Sequence, residues 1–214
     1  MASFVMHEPA VGLTAEKIHV WRGDRHVLRG VSFAAGPGCL LHVHGANGTG
    51  KTTLLRVLCG FLRPESGVVR WGGQAIETNR GDYQRAMTYA SHEAALKGDL
   101  TALENLRYAV GLKRRVTDGE LRATLERTGV APCADLPARV LSAGQRRRVA
   151  MARVLGMHAR LWLLDEPYTN LDAKGALLLT ELLDAHVGAG GIALVVAHHA
   201  LPLSGAVDRL ELAA

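Results

Sequence analysis

Gly45-Ala46-Asn47-Gly48-Thr49-Gly50-Lys51-Thr52 is the stretch on which the reading of this 214-residue chain turns. It has the pattern G-x-x-x-x-G-K-T. Before it stands a short apolar run, residues 39–44 (CLLHVH), and after it Leu54, Leu55, Leu58, Phe61 and Leu62 recur at three- and four-residue spacing. A strand, a glycine-rich turn and an amphipathic helix are therefore predicted in that order, the context in which this pattern cradles phosphate. The glycines let backbone come close to the oxygens, so that successive N–H groups and the positive end of the helix point at the anion. Lys51 then neutralises the β- and γ-phosphates, and Thr52 offers a hydroxyl to a magnesium ion.

Two more apolar runs lie further along, residues 161–164 (LWLL) and 192–197 (IALVVA). Each is short for a helix and apolar throughout, as expected of strands buried on both faces of a parallel α/β sheet. Such sheets bind ligands at the carboxyl ends of their strands. The residues just past the runs are the phosphate-binding turn, Asp165-Glu166 and His198. Adjacent carboxylates at a strand end divide naturally into a magnesium ligand and a base or water-orienter.

The composition agrees with a packed enzyme domain. Hydrophobic residues make up 48% and charged residues 21%, which excludes a disordered chain, and the length suits one domain. Lys plus Arg exceed Asp plus Glu by 25 − 20 = +5, a surplus suited to nucleotide phosphate, nucleic acid or an anionic membrane. No run approaches the roughly 18 apolar residues needed to span a bilayer. The first residues, MASFVMHEPA, lack the basic flank and apolar segment of a signal peptide, so a cytoplasmic chain is expected. Cys39, Cys59 and Cys133 have no CxxC spacing and are read as buried, reduced thiols.

Residues 141–148 read Leu-Ser-Ala-Gly-Gln-Arg-Arg-Arg, with Ser142 as a helix cap and Val149, Ala152, Arg153 and Leu155 continuing a helical pattern. Here the sequence resembles the ATP-binding-cassette (ABC) ATPase family, whose signature is close to LSGGQ; Ala143 is the single change. The phosphate-binding loop, signature, acidic pair, Asn170-Leu171-Asp172 turn and His198 stand in the family's order along nearly the whole chain. The resemblance implies an α/β P-loop NTPase of ABC ATPase type: a mixed sheet with an antiparallel β subdomain and a helical subdomain. One domain over 1–214 is expected, its nucleotide-binding core at about 12–90 and 143–214 and its helical part at about 92–141. Within the latter, Thr117-Asp118-Gly119-Glu120 reads as a helix start, and Gly129 with Pro132 as its end.

The resemblance also implies roles. ATP would be held by Gly45, Ala46, Asn47, Gly48, Thr49, Gly50, Lys51, Thr52 and Thr53, with Mg²⁺ on Thr52 and Asp165. Glu166 would act as general base, His198 as sensor of the γ-phosphate, and Lys51 as a catalytic cation. Two cassettes pair head to tail in this family, so Ser142, Ala143, Gly144 and Gln145 of one copy would face the γ-phosphate of the other, with Asp172 at the contact. The arginine run at 146–148 is read as a solvated or subunit-contacting face; no nucleic acid is expected.

Two departures stand out against that resemblance. Where the family carries a magnesium-touching glutamine, the segment reads Met87-Thr88-Tyr89-Ala90-Ser91-His92-Glu93. Either His92 replaces the glutamine, or Glu93 does, or the contact is lost and only a lever function remains. The usual adenine-stacking aromatic is also missing; Arg22 falls there, with Trp21 adjacent, and either can cover adenine.

Together with the stretch LTALENL and the segment LWLLDEPYTNLD, these features resemble the branch of the family that serves bacterial c-type cytochrome biogenesis. That branch implies separate membrane-spanning subunits, haem-handling partners and a place at the cytoplasmic face of the inner membrane. Haem ligation by this chain is not expected, because no CxxCH or HxxxH pattern is present, and His42, His44 and His199 read as packing or exposed residues. The alternatives are another two-component ABC transporter or a soluble ABC ATPase. The repair and chromosome types of the latter carry long heptad insertions, which the interval between Gly50 and Ser142 lacks.

Overall fold

Alternating and continuous apolar patterns separate the strands into two sheets. In the computed structural model, which describes residues 12–198, 201 and 205–212, β1 (Leu13–Arg22) and β2 (Arg25–Ala35) form an antiparallel hairpin. Leu13 and Ala15 of β1 face inward, as do Ile18 and Val20. The change of phase between the two pairs falls at Lys17, whose φ of 48° marks the irregularity in the pairing. An extra residue in one strand shifts the alternation in this way. β3 (Leu40–His44) leads through the phosphate-binding turn into α1 (Lys51–Leu58), after which β4 (Ser66–Trp71) and β5 (Gln74–Ala75) complete the first sheet in the order β2-β1-β4-β5.

The chain continues through α2 (Arg80–Ala86), β6 (Met87–Ala90), α3 (Ala102–Gly111) and α4 (Asp118–Arg127). It then makes two 3₁₀ turns (Ala131–Cys133 and Ala138–Val140) and α5 (Ala143–Gly156). β7 (Leu161–Asp165), α6 (Ala173–Gly188), β8 (Ile192–Val196) and β9 (Asp208–Glu211) follow. The second sheet has the order β6-β7-β8-β3-β9 with every pair parallel. The mixture of strand directions is thus divided between an antiparallel and a parallel sheet.

Both faces of the parallel sheet are covered, which is why its strands read as unbroken apolar runs. Leu41, Val43, Leu161, Leu163, Leu194 and Val196 pack with α1 and the antiparallel sheet, while Leu40, Trp162, Leu164, Ala193 and Val195 pack against α5 and α6. A further cluster joins Leu103, Leu106, Leu121, Leu125, Val149 and Ala152, from α3, α4 and the middle of α5. α3 begins with a reciprocal cap: Glu104 N donates to Thr101 Oγ1 (3.1 Å), and Thr101 N to Glu104 Oε2 (2.8 Å). α4 begins at the Thr117 cap, where Glu120 N donates to the hydroxyl. Cys59 and Cys133 are buried and Cys39 is half-buried, all three as free thiols. Burial pushes the thiols of Cys39 and Cys59 up to about 12, so they stay protonated and unreactive. Among the described residues, no helix is long and apolar enough to cross a membrane.

Candidate active site

The turn after β3 is built for close backbone approach. Gly45 has a φ of 152° and Gly50 one of 99°. A Cβ on Gly45 would come within 2.6 Å of the Leu212 carbonyl, and one on Gly50 within 2.8 Å of Val27 and Leu28 side-chain atoms. Any larger residue would open the loop. Thr49 Oγ1 donates to Ala46 O (3.0 Å) and tightens it. Lys51 Nζ bends back over the loop and donates to the carbonyls of Gly45 (2.7 Å) and Ala46 (3.0 Å).

A cleft of about 640 Å³ opens beside this loop, at the carboxyl ends of the parallel strands. Asn47, Gly48, Gly50, Lys51, Thr52 and Thr53 line one wall, and His92, Asp165, Glu166 and His198 another. Gly45, Ala46 and Thr49 shape the loop without lining the cleft. Asp165 is buried, and desolvation raises its carboxyl above the ordinary range, opposed by the Thr52 hydroxyl and by the charges of His92, Arg147 and Arg56. Glu166 follows with a φ of 50°. Its N–H donates to Val196 O of β8 (2.9 Å), and its Oε1 stands 3.1 Å from His198 Nε2.

His92 lines this cleft, whereas Glu93 lines a neighbouring groove with Phe61 and Tyr89. Of the two adenine candidates, Arg22 borders the cleft and Trp21 does not. Trp21 lies outside the core, half exposed, and stacks on His26 with centroids 4.2 Å apart. A residue not singled out from sequence, Arg25, also borders the cleft and donates from Nη2 to Gly48 O (2.9 Å). It lies in the β1–β2 hairpin, remote in sequence from the loop it supports, and no spacing marked it.

Ser142, Ala143, Gly144 and Gln145 do not line the cleft. They form the start of α5, where Gln145 N donates to Ser142 Oγ (3.1 Å) and Ser142 N to Gln145 Oε1 (2.8 Å). Asp172 caps α6 by accepting from Gly175 N (2.8 Å) and also accepts from Arg148 Nη2 (2.5 Å). Both bonds hold its carboxyl below the usual range, that from Gly175 foremost. The arginine run is not one solvated face: Arg147 is 4% exposed and donates into the site's backbone. Successive helical residues point about 100° apart, so the middle arginine turns inward while its neighbours do not. His42 is buried with Nε2 3.0 Å from Ala197 O, in keeping with a packing role. His199 lies outside the described residues.

The profile of the ABC transporter family matches residues 28–169, most of the chain and all of the wall from the phosphate-binding loop to the acidic pair. The chain belongs to the ABC transporter family. As an ABC ATPase it binds and hydrolyses ATP. Its relatives include a protein of Methylococcus capsulatus named cytochrome c biogenesis ATP-binding export protein CcmA, 46% identical over 94% of this chain and 97% of that one. A protein of the same name from Nitrosococcus oceani is 47% identical over 90% of this chain and 88% of that one. Among solved structures, an ABC transporter ATP-binding protein from Pyrococcus furiosus superposes with a TM-score of 0.82 at 23% identity, over 94% of this chain and 97% of that chain. A nucleotide-free ATP-binding cassette gives 0.75 at 22% identity, over 88% of this chain and 82% of the other. These two establish the ABC fold and no more.

Proposed function

We propose that this chain is the ATP-hydrolysing subunit of a bacterial membrane ABC complex in c-type cytochrome biogenesis, acting in haem export or in release of a haem chaperone. The observation that carries it is similarity at 46–47% identity, over nearly the full length, to proteins named for cytochrome c biogenesis and export. The ABC cassette is read as one domain, its core at about 12–90 and 143–214 and its helical part at about 92–141. Its place is the cytoplasmic face of the inner membrane, held by separate membrane-spanning subunits. The exposed Phe61, set edge-on to Tyr89 at 5.9 Å, belongs to the groove at the junction of core and helices, a surface suited to a partner helix.

The chemistry follows from the cleft. Lys51 exchanges the Gly45 and Ala46 carbonyls for β- and γ-phosphate oxygens, while the loop N–H groups and the start of α1 receive the remaining charge. Arg22 covers the base. Thr52 and Asp165 supply hard oxygen donors side by side. That is the donor set expected of Mg²⁺, which binds through one or two protein ligands, water and substrate phosphate. When bound, Mg²⁺ neutralises charge developing on the phosphates. Glu166 takes the proton of the attacking water and His198 holds the Glu166 carboxylate and reads the γ-phosphate.

Ser142 accepts from Gln145 N and keeps its own proton free to donate, and the first N–H groups of α5 have no helical partner. A second copy placed head to tail would bring these donors to the γ-phosphate held by Lys51, with Asp172 at the contact. The test is isolation of tagged Glu166→Gln protein from native membranes with ATP, with mass spectrometry and haem absorbance of the complex. Haem-handling membrane proteins are expected. Permease subunits of another system would move the function to a different transporter, and ribosomal or repair partners would sink the membrane reading.

A further inference from the structure

Arg147 enters the core from the second turn of α5 with no carboxylate paired to it at salt-bridge distance among the described residues. Its guanidinium meets backbone carbonyls instead. Nη1 donates to Ser91 O (2.8 Å) and His92 O (3.2 Å), Nε to Pro167 O (3.0 Å), and Nη2 to Asp165 O (3.1 Å) and Glu166 O. A guanidinium carries five N–H donors in a rigid plane, and here all five are used. Saturation of the donors is what makes a buried cation tolerable.

We propose that Arg147 is a positioning residue for ATP hydrolysis, a single planar clamp that fixes the backbone of the His92 segment to the backbone of Asp165-Glu166-Pro167. The proposal rests on the reading of Glu166 as base. Two observations give the clamp its work. Glu166 sits at a φ of 50°, a left-handed conformation that strains a residue with a side chain. The bond from Arg147 to its carbonyl holds it there, with the carboxylate toward His198. The same guanidinium grips the carbonyl of His92, which lines the cleft from a segment remote in sequence. A shift of the His92 segment therefore moves the base.

The test uses the ATPase assembled with its membrane subunits, carrying Arg147→Lys or Arg147→Gln. Lysine keeps the charge but offers three donors in a different geometry, so it folds more readily yet leaves carbonyls unmatched. Expected for both variants are a fall in kcat of about tenfold to a hundredfold, the scale of a misplaced catalytic group, and an ATP affinity within about threefold of wild type. In a Glu166→Gln background, adding Arg147→Lys should change the residual rate by less than about twofold, because no base remains to be positioned. A purely structural role would lower the thermal midpoint and ATP affinity together and remove the same fraction of rate in both backgrounds. That pattern, or a kcat within about twofold of wild type, overturns the proposal. A near-normal rate in Glu166→Gln alone sinks the base assignment only. Arg147 is then judged by kcat against ATP affinity in the single variants.

Discussion

Glu166 and His198 meet with Oε1 and Nε2 3.1 Å apart, although one follows β7 and the other follows β8. The Glu166 N–H bonded to Val196 O joins the same two strand ends through their backbones. On the proposed reading of Glu166 as general base, the imidazole orients one carboxylate oxygen and the other is left for water. Catalysis by a placed base is an orientation effect as much as a proton-transfer effect.

Replacing Glu166 by glutamine keeps the shape and the His198 contact but removes the proton acceptor. Phosphate release should slow by about 10²–10⁴, the scale for losing a positioned base. ATP binding, measured with a fluorescent analogue, should persist. Lys51→Ala is expected to show the opposite pattern, with binding itself impaired. A Glu166→Gln enzyme hydrolysing at near wild-type rate would remove the residue from the base role.

His92 lines the cleft and its charge acts on Asp165. Its carbonyl is held by Arg147, so the backbone path survives a change of side chain. His92→Gln is therefore expected to leave the ATPase rate of the isolated subunit within about threefold and to lower the rate stimulated by the membrane subunits. Loss of both would assign His92 to the magnesium shell instead.

His186 stacks on Trp162 with centroids 3.9 Å apart, its Nε2 3.2 Å from Ile192 O. Burial lowers its affinity for a proton, the backbone bonds opposing only in part. The unfolded chain, with an ordinary histidine pKa near 6.5, then binds the proton more readily than the folded one. The stability that neutral His186 contributes is complete above that value and is lost as pH falls from it toward the folded pKa. The thermal midpoint should fall between about pH 7 and pH 5. His186→Gln should flatten that part of the curve, and an unchanged slope would refute the assignment.

Leu106 is fully buried among α3, α4 and α5. Leu106→Ala is expected to cost about 2–5 kcal/mol by lost burial and the cavity left behind. For a chain of this size that lowers the thermal midpoint by roughly 5–15 °C, measurable by calorimetry. Since the residue is outside the cleft, hydrolysis per folded molecule should be unchanged. A rate falling with stability would tie these helices to the site more closely than the packing does.

Much of the fold could be read from local pattern. The runs at 39–44, 161–164 and 192–197 hold the strands β3, β7 and β8, because a strand covered on both faces has no reason to alternate. The caps at Thr117 and Ser142 were visible because a cap is made within four residues. The residues lining the cleft from the phosphate-binding loop and the acidic pair were visible for the same reason, each set lying on one short segment.

What depended on residues distant in the chain was not. Three consecutive arginines look alike in sequence, yet Arg146 reaches Leu141 O, Arg148 pairs with Asp172, and Arg147 is buried against five carbonyls. Arg22 and Trp21 are neighbours in β1, and only the hairpin's placement over the loop sets the first beside the cleft and stacks the second on His26. Local spacing by itself determined the phosphate-binding loop, the strands that carry the chemistry and the helix caps, since backbone geometry within a few residues decides them. Only the tertiary structure decided which cations turn inward, that Arg25 supports Gly48, and that His92 rather than Glu93 lines the cleft beside the phosphate-binding loop. Those outcomes are set by which carbonyls and carboxylates distant segments bring within about 3 Å, a distance no one-dimensional spacing encodes.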